Sequence, residues 1–386
     1  MVGHDFLAFY TAGVFLNQHR PHDLYDLDKV QAFQHDLAAR QHLEIGQSYG
    51  PFWNPPFYAW VFAPLARLPY PMALAVWEIF NLVCLFAAIL LLTRLLQPAP
   101  PTVTLLVPLL LLTSMPLIQA FTHGQNTPTS LLLLAATVTL WRSRRAFLAG
   151  LVAGLLLYKP QLGALVALAV VFTLGRRAAI GLALTSLTLL AITLFTLPGV
   201  AADYLARMPG NLRQFQVLQP YLWDRHVTLR AFWRLLLQGK ATGDLTPLTQ
   251  TCYLLSAAAL ALQLARTFWR RRNLDLFIAA VIVAMPLLMP FYFDYDLLLI
   301  AVAAVLYARS RLDGPATPLD RRITQVWIAL YFWLMVNSTV ARVTHLNLSV
   351  LLLTALATLL ARRATGCESA GSTASEFPAT PLAATA

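Results

Sequence analysis

Arg176-Arg177 is followed by AAIGLALTSLTLLAITLFTL, residues 178–197, a stretch that contains no charged side chain. Its length matches the about 20 residues that an α-helix needs to cross the hydrocarbon core of a bilayer. Similar runs recur along the chain, where 58% of the 386 residues are hydrophobic and only 12% are charged. Because soluble domains carry roughly 25% charged residues, the chain is predicted to be an all-α, polytopic integral membrane protein.

The apolar pattern predicts eleven membrane-spanning segments. They lie at residues 71–93, 102–120, 127–141, 146–158, 161–174, 178–197, 249–266, 275–290, 296–308, 323–340 and 346–361. Several are shorter than a full span, so the pairs flanking Lys159-Pro160 and Phe293–Asp296 are alternatively broken or re-entrant helices.

Arginines in the short turns assign the two sides of the membrane. Most of these arginines fall on one side, which the positive-inside rule makes cytoplasmic. This topology predicts three regions: an extracytoplasmic first loop at residues 1–70, a membrane domain at 71–363 with an outer loop at 198–248, and a disordered cytoplasmic tail at 364–386. An outer start without a signal sequence predicts a first helix upstream, which would make twelve spans.

The first loop contains one helical pattern. In Asp28–Gln41, Val30, Phe33 and Leu37 recur at helical spacing, which predicts an amphipathic helix lying on the membrane or a soluble cap helix. The net charge of +11 does not indicate nucleic-acid binding, because the arginines occupy turns instead of one basic face. The three cysteines lack the paired spacing of a metal or redox site.

Ionisable residues beside apolar runs are candidates for function, and here they collect on the outer side. Asp5 stands among aromatic residues, where a shielded carboxylate can have a raised pKa and act as a general base; the alternative is a helix-capping aspartate. Gln125 and Asn126, in a Gly-Gln-Asn turn, could hydrogen-bond a sugar or form an ordinary turn.

Three further groups could bind a phosphorylated sugar lipid. Lys159, which precedes a helix-breaking proline, suits phosphate but could also be an interfacial lysine. Tyr292, Asp294 and Asp296 could bind a sugar or an acceptor, although helix capping would also explain them; a divalent metal is compatible with the two aspartates but not required. His226 and Arg230 are further candidates for phosphate, with an interfacial helix face as the alternative.

Several short blocks, taken together, resemble glycosyltransferase family 87. They are Asp5-Phe6, Phe9-Tyr10-x-Ala12-Gly13, Leu24-Tyr25-Asp26, Asn54-Pro55-Pro56, Ala63-Pro64-Leu65, Leu68-Pro69, Gly124-Gln125, Lys159-Pro160-Gln161 and Tyr295-Asp296-Leu297. The blocks run in family order over about residues 3–300. Two features depart from the family: its first membrane helix is absent, and its Tyr-Pro-Pro is Asn54-Pro55-Pro56 here, which leaves the donor and acceptor open.

The resemblance implies a GT-C helical bundle that transfers a hexose, with mannose expected, from a polyprenyl-phosphate sugar to a lipid or glycan acceptor in the cell envelope. It places Asp5 as the catalytic base on the outer face, and the plasma (inner) membrane is the predicted location. In-line attack at the anomeric carbon would invert its configuration. Membrane lipids are then the partners, and neither nucleic acid, a metal nor another cofactor is expected. A secondary transporter is the rival, but no convincing repeat relates the two halves of the chain.

Overall fold

The structure is a computed structural model that describes residues 3–41, 45–46, 48–312 and 315–366. Helices joined by turns and short loops make up this described part, which contains no β-strand. Its one β-bridge is an isolated antiparallel pairing of His226 with Phe293. The α-helices are α1 Phe6–Asn17, α2 Leu27–Arg40, α3 Tyr70–Leu96, α4 Pro101–Leu112, α5 Met115–His123, α6 Thr127–Arg142, α7 Ala146–Leu155, α8 Pro160–Leu174, α9 Arg176–Thr196, α10 Val200–Arg213, α11 Leu229–Gln238, α12 Pro247–Arg270, α13 Leu274–Leu288, α14 Ile300–Leu312, α15 Pro318–Trp333, α16 Asn337–Thr344 and α17 Leu348–Thr365.

Short 3₁₀ and π turns join several of these helices. The 3₁₀ turns are Pro21–Asp23, Pro56–Val61, Leu65–Arg67, Leu156–Tyr158, Trp223–Arg225 and Asp294–Leu299, and the π turn is Gln214–Leu218. Residues 367–386 of the predicted cytoplasmic tail lie outside the described part.

All eleven predicted apolar segments fall on helical residues, as expected of a helical membrane protein. Helix length and composition identify four to six candidate spans in the described part of the chain. Within the described residues, α3, α9, α12 and α17 are long and apolar enough to cross a membrane alone. Two bent pairs, α4 with α5 and α15 with α16, bring the number to six if each pair is one span. The helices α8 and α13 are apolar but shorter.

The helix breaks lie partly where the sequence predicted them. The helix α7 ends in the 3₁₀ turn Leu156–Tyr158 and α8 begins at Pro160, so the predicted interruption at Lys159 is present. Residues 102–120 and 323–340 were each predicted as one segment, yet α4 and α5 meet at 44° and α15 and α16 at 79°. Pro116 explains the first bend, because proline lacks the N–H that would continue α4.

The core has two large parts and a small third cluster around Trp223 and Leu235. The larger part surrounds α13, whose residues 276–287 are all buried against α6, α8, α14 and α17. The second part surrounds α1, a helix that the sequence analysis did not anticipate. Phe9 of α1 stacks on Phe62 with ring centroids 4.8 Å apart, and Trp77 of α3 packs beside both. The first loop is therefore a packed unit around α1.

Two outer helices cover this unit. The helix α2 confirms the predicted helical pattern, and its buried Gln34 donates to Thr11 of α1 and to the carbonyl of Gly50. The helix α10 packs on the same unit through Val200, Tyr204 and Met208. It also makes three polar contacts: Arg207 to Asp26 at 2.9 Å, His22 to Asp203 at 2.6 Å, and the Asn211 amide to the carbonyl of Tyr25 at 2.9 Å. Much of Arg207 and His22 remains exposed to solvent.

The close contact between α7 and α9 depends on glycine residues, including Gly181 of α9. Replacing such a glycine should therefore lower the stability of the protein. A Cβ added at Gly181 would clash with the carbonyl oxygen of Phe147, so Gly181→Ala is expected to destabilise the protein by about 1–3 kcal/mol through overpacking. Thermal unfolding of the detergent-purified protein measures this. Gly210→Ala is the matched control, because nothing lies within 4 Å of the Cβ it adds in α10. Equal stability of the two variants would contradict the prediction.

Candidate active site

Most of the predicted site residues lie at the helix ends opposite those that carry the arginine clusters. Arg142 ends α6, and the turn before that helix carries Gln125; Lys159 likewise lies at the opposite end of α7 from Arg145. The segment holding Asp294 and Asp296 separates α13 from α14, whose far ends carry other arginines. A cavity of about 540 Å³ opens among these turns, the start of α1 and the end of α10.

Asp5 lies at one wall of this cavity, in the N-cap position of α1. Its backbone N–H donates to the carbonyl of His123, which fixes α1 to the end of α5. The carboxylate does not cap the helix; instead its Oδ2 accepts from Gln125 Nε2 at 2.8 Å, and 28% of the side chain remains exposed. The structure therefore does not support the capping alternative for Asp5.

The pKa of Asp5 corrects an expectation drawn from the sequence. Burial does act to raise the pKa, but hydrogen bonds from His4 and Gln125 and the charges of His123 and His4 outweigh it. The pKa of Asp5 consequently lies below its usual value, opposite to the predicted direction. The carboxylate is therefore ionised at neutral pH and ready to accept a proton.

Gln125 connects the two walls of the cavity. Its Nε2 donates to Asp5 and, at 3.1 Å, to the hydroxyl of Tyr295, while its Oε1 accepts from Lys159 Nζ at 3.2 Å. The turn that holds it needs the left-handed conformation of Gly124, at φ 70°. Trp77 donates to the carbonyl of Gly124, and Asn81 donates to that of Gln125. The amide of Gln125 is thus held rigidly between a carboxylate and an ammonium group.

Lys159 forms the opposite wall. It is 7% exposed, lies 3.3 Å from Asp296 Oδ1, and stands 5.5 Å from the centre of the Tyr295 ring. Thr127 also donates to Asp296 Oδ1, at 2.8 Å. A buried ammonium group beside a cavity is suited to an anionic ligand, and Asp296 balances its charge when the cavity is empty.

Arg225 supplies a second cation. It makes a bidentate pair with Asp294, at 3.1 and 2.8 Å, and its guanidinium lies 5.8 Å from the same Tyr295 ring. A third nitrogen donates to His123 Nε2 at 3.0 Å, while His123 Nδ1 lies 2.7 Å from the carbonyl of Gln119. The cavity is therefore lined by two carboxylates, those of Asp5 and Asp296, and by two cations, Lys159 and Arg225.

The model of glycosyltransferase family 87 matches residues 52–290, more than half of the chain. The chain belongs to glycosyltransferase family 87. Neither the curated proteins nor the solved structures give a match.

The matched region of this glycosyltransferase contains Gln125, Lys159 and Arg225 but not Asp5, Asp294 or Asp296. Those three aspartates are assigned to the site by geometry. Asp5 and Asp296 line the same cavity as the matched residues, and Asp294 pairs with Arg225 at its edge. A glycosyltransferase needs a cavity that can hold a sugar beside its ionisable residues. The cavity shared by these residues is therefore the candidate active site.

Two predicted phosphate ligands lie away from the cavity of this glycosyltransferase. His226 is fully buried; its Nδ1 accepts the backbone N–H of Tyr292, and burial together with Arg225 and Arg230 lowers its pKa to about 3. Arg230 donates to Gln216 and lies over the ring of Trp223. An uncharged, enclosed His226 supports the fold, and Arg225 reaches the cavity in its place. Nothing in the sequence distinguished Arg225 from His226 and Arg230 as the residue that lines the cavity.

The predicted sugar ligands are largely engaged within the protein. Asn126, fully buried, donates to the hydroxyl of Tyr58, and the hydroxyl of Tyr292 donates to the carbonyl of Asp296. Asp294 is paired with Arg225, and Gln125 bonds three partners. These residues shape the site of the glycosyltransferase. Among the described residues, no group of three or more His, Cys, Asp or Glu side chains could hold a metal ion.

Proposed function

We propose that this family 87 glycosyltransferase moves a hexose, with mannose expected, from a polyprenyl-phosphate sugar to a lipid or glycan acceptor on the extracytoplasmic face of the plasma membrane. One observation carries the proposal: a single amide, that of Gln125, bonds both the carboxylate of Asp5 and the ammonium of Lys159 in one cavity. The base, Asp5, and the phosphate-binding cation, Lys159, are thereby held at a fixed distance from each other. A nucleophilic displacement at a sugar bound between them requires such an arrangement.

The chemistry follows from this spacing. The Asp5 carboxylate takes the proton of the acceptor hydroxyl as that oxygen attacks the anomeric carbon. The bond from the anomeric carbon to the phosphate oxygen breaks, and its electron pair leaves with the polyprenyl phosphate. Lys159 and Arg225 stabilise the charge that grows on this leaving group. Attack from the side opposite the phosphate inverts the anomeric configuration.

A transfer assay tests the proposal. Membranes containing the full-length protein are incubated with radiolabelled polyprenyl-phosphate mannose and an alkyl mannoside acceptor, and membranes lacking the protein are the control. Label is expected in a new product whose linkage is inverted relative to the donor. Transfer from none of the polyprenyl-phosphate hexoses would argue against the lipid-phosphate donor, and a retained configuration would argue against a single displacement.

The hydrogen bond from Gln125 to Asp5 predicts a shift in pH dependence. Because this bond lowers the pKa of Asp5, Gln125→Ala is expected to raise that pKa. The base must be ionised to act, so the acidic limb of the kcat/KM profile should move to higher pH in the variant. Gln161→Ala is the matched control, since Gln161 also lines the cavity but does not bond Asp5. An unmoved acidic limb in Gln125→Ala would refute the role of this bond.

A further inference from the structure

An aromatic rim borders the cavity away from the paired charges. It consists of Trp53, from the first loop, and Phe215, from the π turn after α10, whose rings meet edge to face at 5.4 Å. The ring of Tyr49 also contacts that of Phe215, edge to face at 5.3 Å, and Leu222, 47% exposed, lines the same cavity. Both rim residues are partly exposed, so the cavity offers an apolar ring surface as well as charges.

Trp53 also offers a free hydrogen-bond donor. Its indole N–H donates to no side chain or carbonyl in the described part of the chain, whereas those of Trp60 and Trp77 donate to Thr196 and Gly124. At the charged end, by contrast, Gln125, Lys159 and Asp296 are already bonded to one another. A flat apolar face with an N–H at its edge matches a pyranose ring, which has C–H groups on its faces and hydroxyls around its rim.

The position of the rim relative to Asp5 indicates whether it binds the donor sugar or the acceptor sugar. Gly50 lies against Ala8, and Phe52 meets Phe9 edge to face at 6.5 Å, so residues 50–53 run along the start of α1 that carries Asp5. The two cations instead gather around Tyr295. In an inverting displacement the acceptor and the leaving phosphate lie on opposite sides of the donor sugar. Because residues 50–53 pack on the helix that begins directly after Asp5, we assign the rim to the acceptor side.

We propose that the Trp53–Phe215 rim is the acceptor subsite and binds the pyranose ring of a neutral hexopyranoside. The ring stacks on Trp53, and one of its hydroxyls accepts the indole N–H. This inference rests on the proposed function, because it takes Asp5 as the base that defines the acceptor side. The rim orients the acceptor, while its reacting hydroxyl points to Asp5.

Kinetics with two substrates test the subsite in the full-length protein. The donor is polyprenyl-phosphate mannose, and the acceptor is octyl α-mannoside. Trp53→Ala is expected to raise the KM for octyl mannoside by about tenfold, as loss of an aromatic contact implies, and to leave the donor KM within about twofold. Trp53→Phe, which keeps a ring but loses the N–H, should fall between the parent and Trp53→Ala. Trp60→Ala, at an exposed tryptophan outside the cavity, should change neither KM.

A higher donor KM with an unchanged acceptor KM would overturn the proposal, as would no change in either constant. A binding measurement separates this inference from the transfer activity. Octyl mannoside should quench part of the tryptophan fluorescence of the parent saturably, and Trp53→Phe should lose that component. If the parent transfers no sugar, the proposed function fails, and the presence or absence of this quenching still decides the subsite.

Discussion

Replacing Asp5 by asparagine is expected to lower kcat for hexosyl transfer by about 10²–10⁴-fold, the usual contribution of a general base. Asparagine keeps the size of the side chain but cannot take the proton of the acceptor hydroxyl. The carboxylate caps no helix, and 28% of its side chain is exposed, so the fold should tolerate the change. Initial rates at saturating donor and acceptor, with thermal unfolding measured in parallel, give both quantities.

Asp36→Asn provides the control for this experiment. Asp36 belongs to the same outer segment but lies in α2, where it pairs with Arg40 away from the cavity. This variant should keep the parental rate. Full activity in Asp5→Asn would remove Asp5 from catalysis, whereas equal losses in both variants would indicate a general effect of charge in the first loop.

Lys159→Met is expected to produce the second large effect, on stability and on donor binding together. The change leaves the carboxylate of Asp296, 3% exposed, without its counter-charge, which typically costs about 3–5 kcal/mol. It also removes a cation from the phosphate end, so the donor KM should rise by about 10–100-fold, as loss of a charge-assisted hydrogen bond implies. Thermal unfolding and donor-dependent rates measure the two effects.

The double variant Lys159→Met with Asp296→Asn separates these two effects. Asparagine removes the unpaired charge while keeping an oxygen that can accept from Thr127, so most of the stability should return. The donor KM should stay high, because the cation is still missing. A parental donor KM in this double variant would show that Lys159 acts on the fold and not on the donor.

Much of the fold was predictable, because apolar composition marks helices in a membrane protein with little ambiguity. All eleven predicted segments are helical, but apolar composition alone does not determine whether a helix crosses the membrane. At 15 residues each, α8 and α13 are shorter than a full span despite their apolar sequences. The helix α1 was missed because it is buried on nearly every side and so shows no amphipathic period.

The candidate site was predictable as a set of residues but not as a network. Topology placed Asp5, Gln125, Lys159 and Asp296 on one side of the membrane, and the structure brings them to one cavity. Which atoms bond is set by tertiary packing: Gln125 lies 120 residues from Asp5 in the chain, and no local pattern pairs them. The same limit explains the choice of His226 over its neighbour Arg225. The fold of the loop encloses His226 and brings Arg225 to the cavity, and the sequence shows neither.

The two sides of the cavity should differ in how strongly ionic strength affects the contacts that hold them, because α10 is attached in part by exposed ion pairs. Exposed ion pairs such as Arg207 with Asp26 contribute about 0–1 kcal/mol, and dissolved salt screens them over roughly 8 Å at physiological concentration. The wall formed by α5, α6 and α8 is held by buried contacts that salt scarcely reaches. Dissolved salt therefore acts on the polar contacts of α10, the helix that leads into the π turn carrying Phe215, while the spacing of Asp5 and Lys159 stays fixed.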